Sequence, residues 1–358
     1  MECLQPFIVH GSGIRRAGVV VALDWEHIRR GRLARSHLVD RAPRKRLVDV
    51  VRDVCGIHAQ VMGAAELSIS ARVDSITQED VRAELWEKRS LVKAWTIRGT
   101  LHIHPADDLP LWAAAVRAVS EPEDPAVLDA IAAALDGRCL LREELADEVA
   151  KRSGEWTREK IGSGWGYLIS SAAIEGKLCH GPPRGNKVTF VRTDQWVGWR
   201  DVDPDEALAE AARRFLETYG PAGPRQFAGW FGLKPNESPP LPEVQVEPGA
   251  EPGPLRLVPE YDCYVMGFRE RDQLVPDKVR ERVKSHPKGR FEGIAAVPTV
   301  LVDGVVAGTW RRARKGKRVE IAVEPTRRLD RAELEAEVER IGKFLGAEPR
   351  LRVGRLDT

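Results

Sequence analysis

The sequence predicts an α+β protein in which winged-helix units stand in tandem ahead of a smaller, strand-rich C-terminal part. Three observations carry that expectation. Between residues 24 and 118, apolar residues recur at helical spacing and then give way to "LVKAWTIRGTLHIHP", a stretch dense in β-branched and aromatic residues. Helix, helix, helix, ribbon is the order of a winged helix. That order returns at 141–196, and its helical part returns at 204–233. Beyond a stretch crowded with proline and glycine, "PTVLVDGVVAGTW" and "RVEIAV" are strand-like, and their Asp-Gly pair signals a tight hairpin, so a small barrel or sheet is expected.

The expected organisation is an N-terminal extension at 1–21, winged helices at 22–118, 119–200 and 201–246 (the third a helical part and linker), a β-barrel with a basic hairpin at 247–328, and a C-terminal helix and tail at 329–358. The first twenty residues read as a frayed extension. Their basic pair Arg15–Arg16 falls too late, and the apolar run behind it is too short, for a secretory signal. Asp24 is expected to cap a helix through Ile28, Leu33 and Leu38. Leu47, Val50, Val51 and Val54 form a second helical stripe. In "ELSISARV" Leu67, Ile69 and Ala71 alternate with Ser68, Ser70 and Arg72, which fits helix or strand. Thr77 opens a helix with acids in its first turn, as the positive end of a helix prefers. In the second unit, a ribbon whose turn holds Arg184 and Lys187 forms a basic wing. Leu334, Val338, Ile341 and Leu345 share one face of the closing helix.

At 358 residues the chain exceeds one ordinary core, and with 42% hydrophobic and 31% charged residues it is composed like a soluble globular protein. No apolar run reaches the roughly 18 residues of a membrane span. A cytoplasmic, nucleoid-associated protein without a membrane partner or an obligate protein partner is expected. The five cysteines (3, 55, 139, 179, 263) are scattered with no C-x-x-C pair, so neither a disulfide framework nor a zinc site is indicated. His102 and His104 would share one face of a strand, but no carboxylate or cysteine stands at ligand spacing beside them. No metal and no cofactor is expected.

A net charge of +2 hides an asymmetry. Residues 1–50 carry ten Lys/Arg against five acids and 309–331 carry nine against three, whereas 201–260 carry five against eleven. Separated basic patches suit a protein that grips a polyanion at chosen places. The strongest is "TWRRARKGKRVEIAV", a hairpin with Arg311, Arg312, Arg314, Lys315, Lys317 and Arg318 near its tip. With the wing residues Arg184 and Lys187, these are the candidate contacts to DNA phosphates.

The stretch "GIHAQV" at 56–61 sets His58 and Gln60 inside an apolar run. Two polar residues at i and i+2 share a face if the backbone is extended and diverge if it is helical, and Gly56 favours a break in the helix before them. The plain alternative is a core imidazole bonded to backbone with a glutamine capping a helix end.

The segments "VCGIHAQ", "LSISARV", "LVKAWTIRGTLHIHPADDLP", "YGPAGPRQFAGWFGL", "LVPEYDCYVMGFR" and "VLVDGVVAGTWRR", in this order from about Leu23 to Phe344, resemble the bacterial AlkZ-type DNA glycosylases. The resemblance implies three winged helices and a β-barrel forming a C-shaped clamp on double-stranded DNA. It also implies hydrolysis of the N-glycosidic bond of bulky N7-alkylguanine, interstrand crosslinks included, in self-resistance to an alkylating antibiotic. The family's catalytic signature is Gln-apolar-Gln or Gln-apolar-Asp, so its positions fall on His58 and Gln60, with histidine at the first. A neutral His58 could orient water and also accept its proton, since an ordinary imidazole titrates at about 6.5. Thr100 and His102 in "RGTLH" are expected to line the cleft. "EYD" at 260–262 reads as a turn or barrel contact. No lysine stands in the motif, so a monofunctional hydrolase is expected. Two alternatives stay open: a non-catalytic winged-helix regulator, and a lesion-binding relative without activity.

Overall fold

The computed structural model describes residues 7–10, 13–15, 25–121, 123–163, 167–247, 249, 251–267, 271–285, 289 and 293–356. Asp24 and most of 1–21 lie outside them. The first strands are β1 (Phe7–His10) and β2 (Gly13–Arg15), an antiparallel hairpin. After helix α1 (Trp25–Arg35) the first unit runs α2 (Leu47–Asp53), β3 (Ile57–His58), α3 (Met62–Ser70), α4 (Gln78–Trp86), β4 (Leu91–Trp95) and β5 (Leu101–Pro105). Its sheet has the order β3–β5–β4, all antiparallel. The ambiguous stretch around Leu67 is helical because every side of it is covered: Leu67, Ser68, Ile69 and Ser70 are all buried. Its serines are satisfied without a strand, Ser68 Oγ donating to Asp262 and Ser70 Oγ to the Leu67 carbonyl. Thr77 caps α4 in a reciprocal box with Asp80.

Helix α5 (Leu109–Arg117) leads to a second unit of the same plan: α6 (Pro125–Ala134), β6 (Leu140–Leu141), α7 (Arg142–Ser153), α8 (Trp156–Gly162), α9 (Tyr167–Ile174), β7 (Cys179–Arg184) and β8 (Lys187–Val191). Its sheet order, β6–β8–β7, again places the short first strand beside the last. Short α10 (Thr193–Trp196) precedes α11 (Pro204–Tyr219), which Asp203 caps, and α12 (Pro224–Phe231). Trp112 of α5 packs with Phe215, Phe227 and Trp230 in one aromatic core.

The N-terminal stretch corrects the expectation of a frayed extension. Strand β9 (Val244–Val246) pairs antiparallel with β1, Ile8 opposite Gln245, giving a sheet in the order β2–β1–β9. An unpaired strand edge is a template for another strand, and β1 fills it from far away in sequence.

The C-terminal part holds β10 (Leu255–Val258), α13 (Cys263–Met266), α14 (Asp277–Ser285), β11 (Thr299–Val302), β12 (Val305–Lys315), β13 (Arg318–Pro325), α15 (Arg331–Phe344) and β14 (Glu348–Val353). The expected barrel is instead an open sheet ordered β10–β11–β12–β13–β14, with β14 parallel to β13. Closure is unnecessary because α15 covers the sheet: Leu334, Val338 and Ile341 share a core with Leu255, Trp310 and Ile321. The tail expected after the barrel is instead the last strand of this sheet. That core also contains Val50, Ile57, Leu67 and Ile103 of the first unit, so the first unit and the C-terminal sheet are packed as one body around the segment at 56–61.

Candidate active site

Helix α2 stops where Cys55 and Gly56 both take positive φ, 61° and 91°. Gly56 is required on two counts. Its φ suits glycine, and a methyl group there would stand 2.4 Å from Cε1 of His104. Strand β3 follows, and the Ala59 amide extends the ladder by donating to the Leu101 carbonyl at 2.7 Å. Ile57 and Ala59, the neighbours of His58 in the chain, are buried in the core. His58 is 8% exposed, and Gln60 is exposed. Neither does what the plain alternative requires. His58 Nδ1 is buried without a hydrogen-bond partner, and α3 has Val61 at its cap position with no side-chain capping bond.

His58 sits in a run of rings. His102, its cross-strand partner, lies edge-on with centroids 5.4 Å apart, and Tyr261 of the C-terminal part packs at 5.1 Å and a 37° tilt. Behind His102 come His104 at 5.8 Å and then Trp112, 5.3 Å from His104. His102 Nδ1 donates to the Thr100 carbonyl (3.1 Å), and His104 Nε2 bonds the Thr96 hydroxyl (2.9 Å). The Thr100 hydroxyl is turned back onto the Ile97 carbonyl. His102 and His104 stack; among the described residues no group of three or more His, Cys, Asp or Glu is placed to hold a metal ion.

Electrostatics keep these rings neutral. Burial, then the positive charges of Arg98 and Lys93, holds His58 down to about 4. Burial holds His104 down to about 3 and His102 well below the ordinary imidazole range. Arg98 occupies the β4–β5 turn at φ 60° and donates from Nη1 to the Trp230 carbonyl at 2.7 Å, tying that turn to α12. Lys93, also buried, is lowered to about 8 by desolvation. It pairs with Ile103, one register step from the His58–His102–Ala94 row, and so leaves the opposite face of the sheet. A histidine at about 4 accepts a hydrogen bond from water at neutral pH but is a weak base. Burial thus sets His58 below the ordinary imidazole value of about 6.5.

The expected DNA-binding cations are dispersed. Arg184 bridges Glu144 at 2.6 Å and Lys187 bridges Glu143, so much of the wing's charge is offset within its own unit. On the hairpin, Arg318 pairs with Glu348, and Arg314 donates to the Gly316 and Leu345 carbonyls. Arg311, Lys315 and Lys317 are exposed. Arg312 alone turns inward, its Nη2 3.2 Å from where a Gly63 methyl group would stand, in the first turn of α3 beside the motif. The sequence signals missed Tyr261, Arg98 and Lys93. The first two lie within "EYD" and "RGT", but their approach to His58 spans separate elements.

The α+β scaffold that carries buried His58 and exposed Gln60 is shared with a family of DNA glycosylases. Residues 51–344 match the model of the family described as DNA glycosylase AlkZ-like, and the chain belongs to that family. It is 29% identical to the interstrand DNA cross-link repair glycosylase of Streptomyces sahachiroi, covering 90% of this chain and 97% of that protein. The solved structure of Streptomyces sahachiroi DNA glycosylase AlkZ superposes with a TM-score of 0.75 at 26% identity, covering 93% of this chain and 100% of that one. Among the described residues, no helix is long and apolar enough to cross a membrane.

Proposed function

We propose that the protein hydrolyses the N-glycosidic bond of bulky N7-alkylguanine in double-stranded DNA, interstrand crosslinks among its substrates, using water held by Gln60 and His58. The observation that carries this reading is the pairing, in a chain of this family, of exposed Gln60 with a buried His58 whose Nδ1 is unused. An N7-alkylated guanine is cationic. When the C1′–N9 bond breaks, its electron pair returns to the ring and the base leaves neutral. Most of the enzyme's task is then to place water at C1′ beside the oxocarbenium-like sugar. A neutral imidazole does not repel that developing charge. The oxonium formed as water adds is strongly acidic, so even a base of about 4 can take its proton and pass it to solvent.

Lys93 supports hydrolysis over amine chemistry by its place, since it leaves the sheet on the face opposite His58. We read the two helix–strand–helix–hairpin units as winged helices, and α11, α12, β9 and the β1–β2 hairpin as a third, together clamping the duplex. Thr100 and His102 support the cleft from beneath. The relative's name supports crosslinks as substrates, and self-resistance to an alkylating natural product is the role we assign.

Mass spectrometry of products from a duplex with one N7-alkylguanine tests this. Free modified base and an unbroken strand are expected. A borohydride-trapped protein–DNA adduct with strand nicking would contradict a monofunctional hydrolase.

A further inference from the structure

Among the described residues, Tyr261 is the one ring that reaches His58 from outside the first unit, and its backbone is unusual. It has φ 58°, the left-handed region, which a bulky aromatic residue rarely adopts. The turn is fixed on both sides of that strain. The Tyr261 amide donates to the Ala295 carbonyl, and the next residue, Asp262, is fully buried and accepts from Ser68, both terminal nitrogens of Arg72 and the Tyr264 amide. A backbone forced into such a conformation persists only where its surroundings over-determine it, and such residues gather at functional sites. What this turn achieves is visible: it lays the Tyr261 ring against His58, which His102 also meets edge-on.

We infer that Tyr261 is a positioning residue of the active site, fixing the plane of the His58 imidazole and excluding bulk water from it so that the ring meets only the reacting water. This rests on the catalytic reading of His58 above. Two rings at 5.4 Å and 5.1 Å leave the imidazole little freedom to turn, so Nδ1 and Nε2 keep fixed directions. Removing the Tyr261 ring would open one face of His58. The charged and titratable neighbours that act on it, Arg98 from the β4–β5 turn, Lys93 from β4 and His102 from β5, would stay in place. Burial is the first cause of the low His58 value, so water reaching the ring would raise it.

The test compares wild type, Tyr261→Phe, Tyr261→Gly and His58→Gln. Glycine adopts φ 58° without strain, so Tyr261→Gly deletes the ring while relieving the backbone. NMR titration of isotope-labelled histidines, with His58→Gln assigning the His58 signal, reads the ring directly. Single-turnover base release from pH 5 to 8 reads the consequence. Tyr261→Gly is expected to raise the His58 midpoint from about 4 toward the ordinary value and to lower the ratio of rates at pH 5.5 and pH 8 at least fivefold. Tyr261→Phe is expected to match wild type in both. An unmoved His58 midpoint in Tyr261→Gly overturns the positioning role whatever the activity. A His58→Gln protein with wild-type rate and pH profile overturns the catalytic reading on which it rests.

Discussion

Arg72 and Asp262 form a fully buried, two-point ion pair, Nη1 to Oδ2 at 2.7 Å and Nη2 to Oδ1 at 2.8 Å, with neither side chain exposed to solvent. It joins the end of α3 to the turn that carries Tyr261, and so locks the two halves of the candidate site together. Removing one partner of such a pair leaves an uncompensated buried charge. Asp262→Ala is expected to lose about 3–5 kcal/mol of stability, measured by urea unfolding. The double variant Arg72→Met/Asp262→Leu should lose clearly less than the single one.

The buried histidines set an acid limit. His58, His102, His104 and His180 all have folded-state values depressed chiefly by burial. In the unfolded chain they protonate near 6.5, while the folded protein resists, so the unfolded state binds more protons in that window. Their contribution is full above about pH 6.5 and is lost as pH falls toward about 4. His180 offers a clean check: its buried Nε2 is unpartnered, and its ring packs against both Trp95 and Phe190. His180→Phe should flatten the loss of urea stability between pH 7 and pH 5. An equal loss in both proteins would count against this account.

Gly56→Ala combines a positive φ of 91° with a methyl group driven into the His104 ring. A loss of roughly 2 kcal/mol or more is expected, seen as a lower unfolding midpoint. Gly137→Ala, where φ is 62° but nothing lies within 4 Å of the added methyl, should lose less.

The cations differ in what they have free to offer DNA. Lys315→Ala and Lys317→Ala should each reduce the slope of log affinity against log salt by about one, as a lost phosphate contact does. Lys187→Ala should change it less, because Glu143 already neutralises part of that charge. Equal slopes for all three, measured by fluorescence anisotropy with undamaged duplex, would contradict the assignment.

What the sequence made legible was local. Thr77 and its box with Asp80 span three residues, and the Asp303–Gly304 turn needs only positive φ at adjacent positions, 50° and 71°. What stayed hidden was contact at long range. The pairing of β1 with β9 joins segments more than 230 residues apart, and three-residue strands leave almost no pattern. Charge counts misled in the same way. Arg29 and Arg30 swell the basic N-terminal excess, yet both bind Asp303, at 2.8 and 3.0 Å, and serve the fold. Nor could the nominal value of an imidazole foretell a ring buried under Tyr261 and His102.

The central claim is that His58 and Gln60 hold the hydrolytic water. The most direct test is single-turnover base release from a duplex carrying one N7-alkylguanine, for wild type, His58→Ala and Gln60→Ala, with binding to the same duplex measured in parallel. Release by wild type that falls at least tenfold in each variant while binding persists is the predicted result. Release unchanged in both variants would contradict the site, and binding without release by wild type would contradict the activity itself.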